Sequence, residues 1–174
     1  MTTFVVTPDD GQATRGWTGD GTVRWRCAIG RGGMKTDKRE GDGGTPVGAW
    51  PLRRVLYRPD RLLAPPPTAL AVAAIGPADG WCDDAADPAY NRPVTLPCPA
   101  SHERLWRDDA VYDVIVVLGH NDDPPVRGLG SAVFVHVARA GYLPTEGCVA
   151  LALPDLLALL ARARPGDKLD CRPA

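Results

Sequence analysis

A mainly β fold is what this sequence predicts, on three observations. Glycine and proline are abundant, at 19 and 18 of 174 residues, which favours turns and short strands over a helical bundle. Short β-branched runs bounded by turn residues recur along the chain, as buried strands do. Helical periodicity is confined to one stretch near the C-terminus, LPDLLALLARARPGDKLD. At 174 residues and 18.5 kDa the chain suits one domain over residues 1–174, and no internal repeat or linker divides it.

The elements follow in order. Thr3 to Thr7 reads as a first strand and Thr22 to Ile29 as a second, because Val23, Trp25, Cys27 and Ile29 alternate with polar or small residues. Residues 30–48, GRGGMKTDKREGDGGTPVG, are glycine-rich, charged and without hydrophobic period, so they read as a long surface loop. The phosphate-binding pattern G-x-x-x-x-G-K-[ST] is absent from it. Residues 58–110 form the least regular stretch, with the prolines 65–67 and one brief strand candidate, Leu70 to Ile75. Loops of such length inside a compact domain are uncommon and often cover or bind something. Trp81, Tyr90 and Trp106 lie there among Asp83, Asp84, Arg92, His102, Glu103 and Arg104, a mixture suited to a wall that binds a polar, peptide-like or sugar-like ligand. The alternative for each aromatic is an anchor between loop and core.

Two buried strands come next, VYDVIVVLG at 111–119, which includes Tyr112, and SAVFVHVA at 131–138, joined by the turn-rich HNDDPPVRGLG. A helix follows from about Pro154 to Arg164, with Pro154 and Asp155 suited to its first turn and arginines to its end. Pro165 and Gly166 stop it, and Lys168 to Cys171 supplies a last strand.

Composition narrows the function. A formal charge of −1 gives no general attraction to nucleic acid or anionic membrane. No apolar run is long enough to span a bilayer, and MTTFVVTPDDGQATRG shows no secretory signal in this chain. The five cysteines, Cys27, Cys82, Cys98, Cys148 and Cys171, contain no C-x-x-C pair, which argues against a zinc or redox site. Cys82 and Cys98 can pair in an oxidising compartment.

Chemistry concentrates in PTEGCVALAL, residues 144–153. A cysteine nucleophile needs a base, an oxyanion site and small neighbours. Gly147 permits a tight backbone and close approach of a carbonyl, the amides around Gly147 and Cys148 can face an oxyanion, and Thr145 can hydrogen-bond within the turn. A small buried hydrophobe before a helix is the competing reading. Only three histidines are available as base, His102, His120 and His136. His136 lies on an apolar strand, on one face with Phe134 and opposite Val133 and Val135, where it is either a satisfied core residue or a base for Cys148. His120 is placed to touch substrate, and His102 has the weakest claim as base.

These residues carry a resemblance. Phe134 to Leu151, with its strand histidine and [ST]-x-G-C-V, resembles the active-site signature of the YkuD-type L,D-transpeptidases, cysteine enzymes that remodel bacterial peptidoglycan. REGDGGTPVGAW, GWCDD, YNRPV, SHERLWRDD and GSAVFVH resemble the ErfK/YbiS/YcfS/YnhG-like branch, so the likeness covers about residues 39–160. It implies a YkuD-like β-sandwich of mixed sheets with long loops and a short helix after the cysteine. It implies Cys148 as nucleophile and His136 as general base and acid, with Thr145, Glu146 and Gly147 supporting the motif. The substrate contacts expected with them are Trp81, Tyr90, Arg92, His102, Glu103, Arg104, Tyr112 and His120. Two positions depart from better-known members: Glu146 replaces a histidine, and Ala150 replaces an arginine that contacts a carboxylate or oxyanion, so that either another group, such as Arg92, Arg104 or Arg139, takes its place or the substrate is gripped differently.

The implied activity is cross-linking of peptidoglycan stem peptides, donor and acceptor, through a thioester, giving a 3-3 or 1-3 link, without metal or organic cofactor and by a monomer. Its competitors are an L,D-carboxypeptidase or hydrolase using the same acyl-enzyme, and a wall-binding module without chemistry. The implied substrate places the activity in the periplasm or cell envelope.

Overall fold

The computed structural model of the protein describes residues 1–173. Its N-terminal half supplies β1 (Thr3–Asp9), β2 (Gln12–Gly19), β3 (Arg24–Ala28), the short β4 (Met34–Lys35) and β5 (Thr45–Pro46), the long β6 (Gly48–Tyr57) and β7 (Val72–Ala74). Three short strands follow, β8 (Asp79–Cys82), β9 (Pro93–Thr95) and β10 (His102–Arg104). The remainder is β11 (Val114–Leu118), β12 (Phe134–Val137), β13 (Val149–Leu151), the helix α1 (Leu153–Arg162) and β14 (Lys168–Cys171).

Nine strands form one sheet in the order β11-β12-β13-β3-β2-β1-β14-β6-β7, and β11 also pairs with β6. The sheet therefore curls until β6 and β11 meet, leaving β7 outside the circuit. β12–β13, β1–β14 and β6–β7 run parallel and the other pairs antiparallel, so the sheet is mixed, as the family resemblance implies. A three-stranded sheet, β10-β8-β9, packs beside it.

Alternation along β11 and β12 sorts side chains between two cores. Val114, Val116, Val135 and Val137 face inward to Phe4, Val6, Leu151 and Leu169, together with Leu156, Leu159 and Leu160 of α1. Ile115, Val117 and Phe134 face outward to Trp81, Leu105 and Tyr112 under the small sheet. The second core exists because residues 76–112 fold back over that outer face.

Several sequence expectations need correction. β1 continues to Asp9, and Gln12–Gly19, which reads as a turn-rich interval, is a strand paired with both β1 and β3. Its glycines hide it from an apolar-periodicity test, yet a Cβ at Gly16 would lie 2.1 Å from the Thr7 carbonyl oxygen, so close strand approach requires the glycine. β6, the longest strand, contains Pro51, Arg53 and Arg54 and shows no strand pattern; it is fixed by pairing with β14, β11 and β7. Residues 30–48 are no plain surface loop, since they contain β4 and β5 and bury Thr45. The second expected strand narrows to Arg24–Ala28, the Leu70–Ile75 candidate to Val72–Ala74, and the helix ends at Arg162, where the Ala163 N–H closes onto the Leu159 and Leu160 carbonyls. Cys82 and Cys98 are both free thiols.

Asn91 pins the small sheet to the large one. Its Oδ1 accepts from Trp81 Nε1 at 2.9 Å and from the Ala132 N–H at 3.1 Å, while Nδ2 donates to the His120 and Asn121 carbonyls at 3.1 and 2.7 Å. Asn91 also adopts φ +55°, a left-handed conformation that asparagine tolerates better than most residues. Asn91→Ala leaves buried polar partners unpaired, and urea unfolding should show a loss of about 2–4 kcal/mol.

Candidate active site

β12 and β13 pair in parallel, with Val135 opposite Val149 and His136 opposite Ala150. Continuing that register sets Phe134 opposite Cys148, so Phe134, His136 and Cys148 share one face. The face is the outer one, and Cys148 packs in the second core with Phe134 and Tyr112. Residues separated along the chain are thus brought together by backbone pairing.

The Cys148 thiol is buried and engaged by the backbone. Its Sγ accepts from the Phe134 N–H and donates to the Ala132 carbonyl, each at 3.3 Å. Ala132 holds φ +51°, an unfavourable conformation for alanine, and Asn91 Oδ1 binds its N–H. Asn91 therefore helps present the carbonyl that receives the thiol proton. Burial pushes the thiol up to about 12, with the Glu103 charge adding to the rise and the Phe134 N–H and Lys38 opposing it.

His136 is buried with Nδ1 3.0 Å from the Val137 carbonyl oxygen. A carbonyl only accepts, so Nδ1 carries the proton and Nε2 is the basic nitrogen. Burial drives the imidazole down to about 4, and the Arg139 and Arg107 charges press the same way against the bond to Val137. The Tyr112 ring meets the imidazole edge-on, with centroids 5.5 Å apart. Its hydroxyl donates to Glu103, whose carboxyl is raised by burial and lowered in part by that bond. No hydrogen bond joins Sγ to the imidazole among the described residues, and burial favours the neutral form of both groups.

The T-E-G-C turn is held from both sides. Thr145 Oγ1 donates to the Cys148 carbonyl at 2.6 Å and accepts from the Gly147 N–H at 3.1 Å. Thr45 Oγ1 accepts from the Gly30 N–H at 2.9 Å and reaches the same Cys148 carbonyl at 3.4 Å. Backbone bonds from Arg31 N–H to the Thr145 carbonyl and from Thr145 N–H to the Ile29 carbonyl tie the turn to the end of β3. Gly147 has φ +131°, and a Cβ there would stand 2.7 Å from the Gly44 carbonyl oxygen. The Gly147 N–H is committed to Thr145, while the N–H groups of Glu146 and Cys148 have no protein partner among the described residues.

Above these groups opens a cleft of about 560 Å³. Thr145, Glu146, Gly147, Cys148 and His136 line one part, and His102, Glu103, Arg104 and Tyr112 another. Of the arginines weighed as substitutes for the absent motif arginine, Arg104 and Arg139 reach the cleft. Ala150 is enclosed within β13.

Four expected contacts lie outside this lining. Trp81 is buried against Phe134, with centroids 5.1 Å apart, and anchors β8 to the core. Tyr90 stands behind the wall, its hydroxyl donating to Glu40 and accepting from the Gly130 N–H at 3.1 Å. Arg92 borders a separate hollow with Arg54 and Asp122. His120 is turned inward, with Nε2 3.1 Å from the Leu129 carbonyl oxygen and its ring edge-on to Trp50 at 4.6 Å. Conversely, Lys38, Glu40 and Arg107 line the cleft without having been expected there. The available signal for the first two was a cluster of charges within a glycine-rich stretch.

Gly147→Ala combines a positive φ with a backbone clash, and should give a protein that melts lower and whose Cys148 alkylation rate departs from the parent's, read by thermal unfolding and by mass spectrometry.

No curated protein sequence matches the chain at a significant level. Residues 2–171 match the family described as YkuD, L,D-transpeptidase catalytic domain, which is nearly the whole chain, and the protein belongs to that family.

Proposed function

We propose that the protein is a peptidoglycan L,D-transpeptidase in which Cys148 is the nucleophile and His136 the general base and acid. The observation that carries this reading is the shared face of β12 and β13, which sets a thiol and an imidazole with a free Nε2 in one cleft. Family membership supports a cysteine-dependent acyl transfer on peptidoglycan stems.

In the first half-reaction the thiol proton passes to His136 Nε2 as sulfur attacks the carbonyl of an L-configured centre in the donor stem. The S–C bond forms, the C–N bond to the following D-residue breaks, and the leaving amine takes the proton from the imidazolium. In the second, an acceptor amine attacks the thioester, gives its proton to His136 and releases the thiol. The Val137 carbonyl fixes the imidazole tautomer needed for both transfers. The cleft carries both charge signs, with Glu40, Glu103 and Glu146 beside Lys38, Arg104, Arg107 and Arg139, which suits stem peptides that bear carboxylates and amines. Such substrates lie in the periplasm or envelope, where we place the activity.

The test is incubation with defined muropeptides followed by mass spectrometry of products and enzyme. A dimer with an adduct on Cys148 is expected, and its fragmentation separates a 3-3 from a 1-3 link; trimmed monomers alone would make the protein a carboxypeptidase. Cys148→Ala should abolish adduct and product, and His136→Gln should slow acylation by about 10²–10⁴-fold.

The neutral resting pair also sets a pH dependence. Because the folded imidazole titrates near 4 instead of 6.5, the unfolded chain binds a proton in that window that the folded chain refuses. Stability contributed by neutral His136 is therefore complete above about pH 6.5 and is lost as pH falls toward 4. Denaturant unfolding across this range should give a shallower slope for His136→Gln than for the parent.

A further inference from the structure

Lys38 stands out among the charged groups of the cleft. It lies in the glycine-rich segment between β3 and β6, yet its side chain is only 8% exposed. Its stem packs on the backbone of Gly130, where a Cβ would come within 3.0 Å of Lys38 Cε. Its ammonium lies 3.6 Å from the point where a side chain would start at Gly147, the residue before the cysteine. Glycine at that position leaves the ammonium an open path to the reacting centre.

The hydrogen bonding of Nζ is incomplete. An ammonium has three donors. One goes to the Arg39 carbonyl at 2.9 Å and one to Asp42 Oδ1 at 2.5 Å. The third has no partner among the described residues, although the side chain is buried and lines the cleft. Asp42 is itself fixed by the N–H groups of Arg39 and Gly44, each at 2.8 Å, so the ammonium is held in place before substrate arrives. The cleft's other cations sit differently: the Arg107 and Arg139 charges bear on His136, and Arg107 is paired with Asp109 at 2.7 Å, whereas the Lys38 charge bears on the Cys148 thiol.

We propose that Lys38 is a catalytic residue of the Cys148 site, whose ammonium joins the Cys148 N–H in holding the negative charge that develops on the carbonyl oxygen of the acyl donor. The inference rests on the reading of Cys148 as an acylated nucleophile. When sulfur bonds to the carbonyl carbon, the C=O π pair moves onto oxygen; when that pair returns, the C–N bond breaks and the amine leaves with the proton from His136. Lys38 gives up no proton in this sequence. Its charge is preorganised and desolvated, the condition under which such a donor acts most strongly on a transition state. A glycine-rich loop with no phosphate motif thus acquires a function.

The purely structural alternative is that Lys38 only staples its loop through Asp42. Three variants separate the two, Lys38→Met, Lys38→Arg and Asp42→Asn, each checked for an unchanged circular dichroism spectrum and melting. Two readouts are used, the rate of muropeptide acylation of Cys148 and the ratio of its alkylation rates by anionic iodoacetate and neutral iodoacetamide. Lys38→Met should lose about a hundredfold or more in acylation, keep its iodoacetamide rate within a few-fold, and show a several-fold lower iodoacetate-to-iodoacetamide ratio. Lys38→Arg should recover part of both losses, and Asp42→Asn, which loosens the support of the ammonium but keeps its charge, should lose clearly less acylation than Lys38→Met. Acylation by Lys38→Met at the parental rate would overturn the proposal. So would an equal loss in Asp42→Asn, or a loss matched by iodoacetamide reactivity. If the parent forms no acyl adduct, the transpeptidase reading fails by itself, and the alkylation ratio alone decides whether Lys38 holds anions at Cys148.

Discussion

The parallel pairing of β12 with β13 is the constraint on which the site depends. Antiparallel hairpins bring neighbouring residues together cheaply, whereas a parallel pair needs a crossover connection. Here the connection between Val137 and Val149 contains a 3-10 turn at Ala140–Tyr142 and the T-E-G-C turn. The register sets Cys148 beside Phe134 on the face that also carries His136. A slip of one residue would turn Cys148 into the inner core and leave the imidazole facing the cleft alone.

Around that pairing the protein arranges groups that would be costly elsewhere. A left-handed Ala132 accepts from the thiol, a left-handed Asn91 holds that alanine's N–H, and a buried imidazole lines the same cleft. Conformational and desolvation penalties of this kind persist only where surrounding structure over-determines them. The two sheets provide that support, since β11 and β12 are packed on both faces, by α1 and the inner core on one side and by the small sheet on the other. The same burial raises the thiol and lowers the imidazole, which favours the neutral form of both over a thiolate–imidazolium pair.

The 102–112 segment acts on both groups of the cleft: Arg107 and Tyr112 bear on His136 and the Glu103 charge bears on Cys148, while the glycine-rich loop sets Lys38 beside Gly147. Glu146 points away from the reacting pair toward Arg31, at 2.8 Å. The position that departs from the better-known motif is thus occupied by a rim charge, while a buried charge from a distant loop approaches the turn.

By itself the sequence determined the elements whose side chains carry a period and the turn whose chemistry is local. The valines of β11 and β12, the amphipathic α1 and the T-E-G-C turn were all legible, because alternation, helical spacing and a glycine before a cysteine are properties of neighbouring residues. It determined as well that Phe134 and His136 share a face. Only tertiary structure decided the rest. β2 and β6 owe their conformation to strands far along the chain, and their glycines, proline and arginines carry no period of their own. The orientation of His120, Tyr90 and Trp81, which serve the wall from behind, depends on what packs against them. Lys38 shows the same limit most plainly: a lysine among glycines has no local reason to be buried, and it comes to lie beside Gly147 because the loop is drawn onto the T-E-G-C turn by Thr45, Gly30 and the space that Gly147 leaves open.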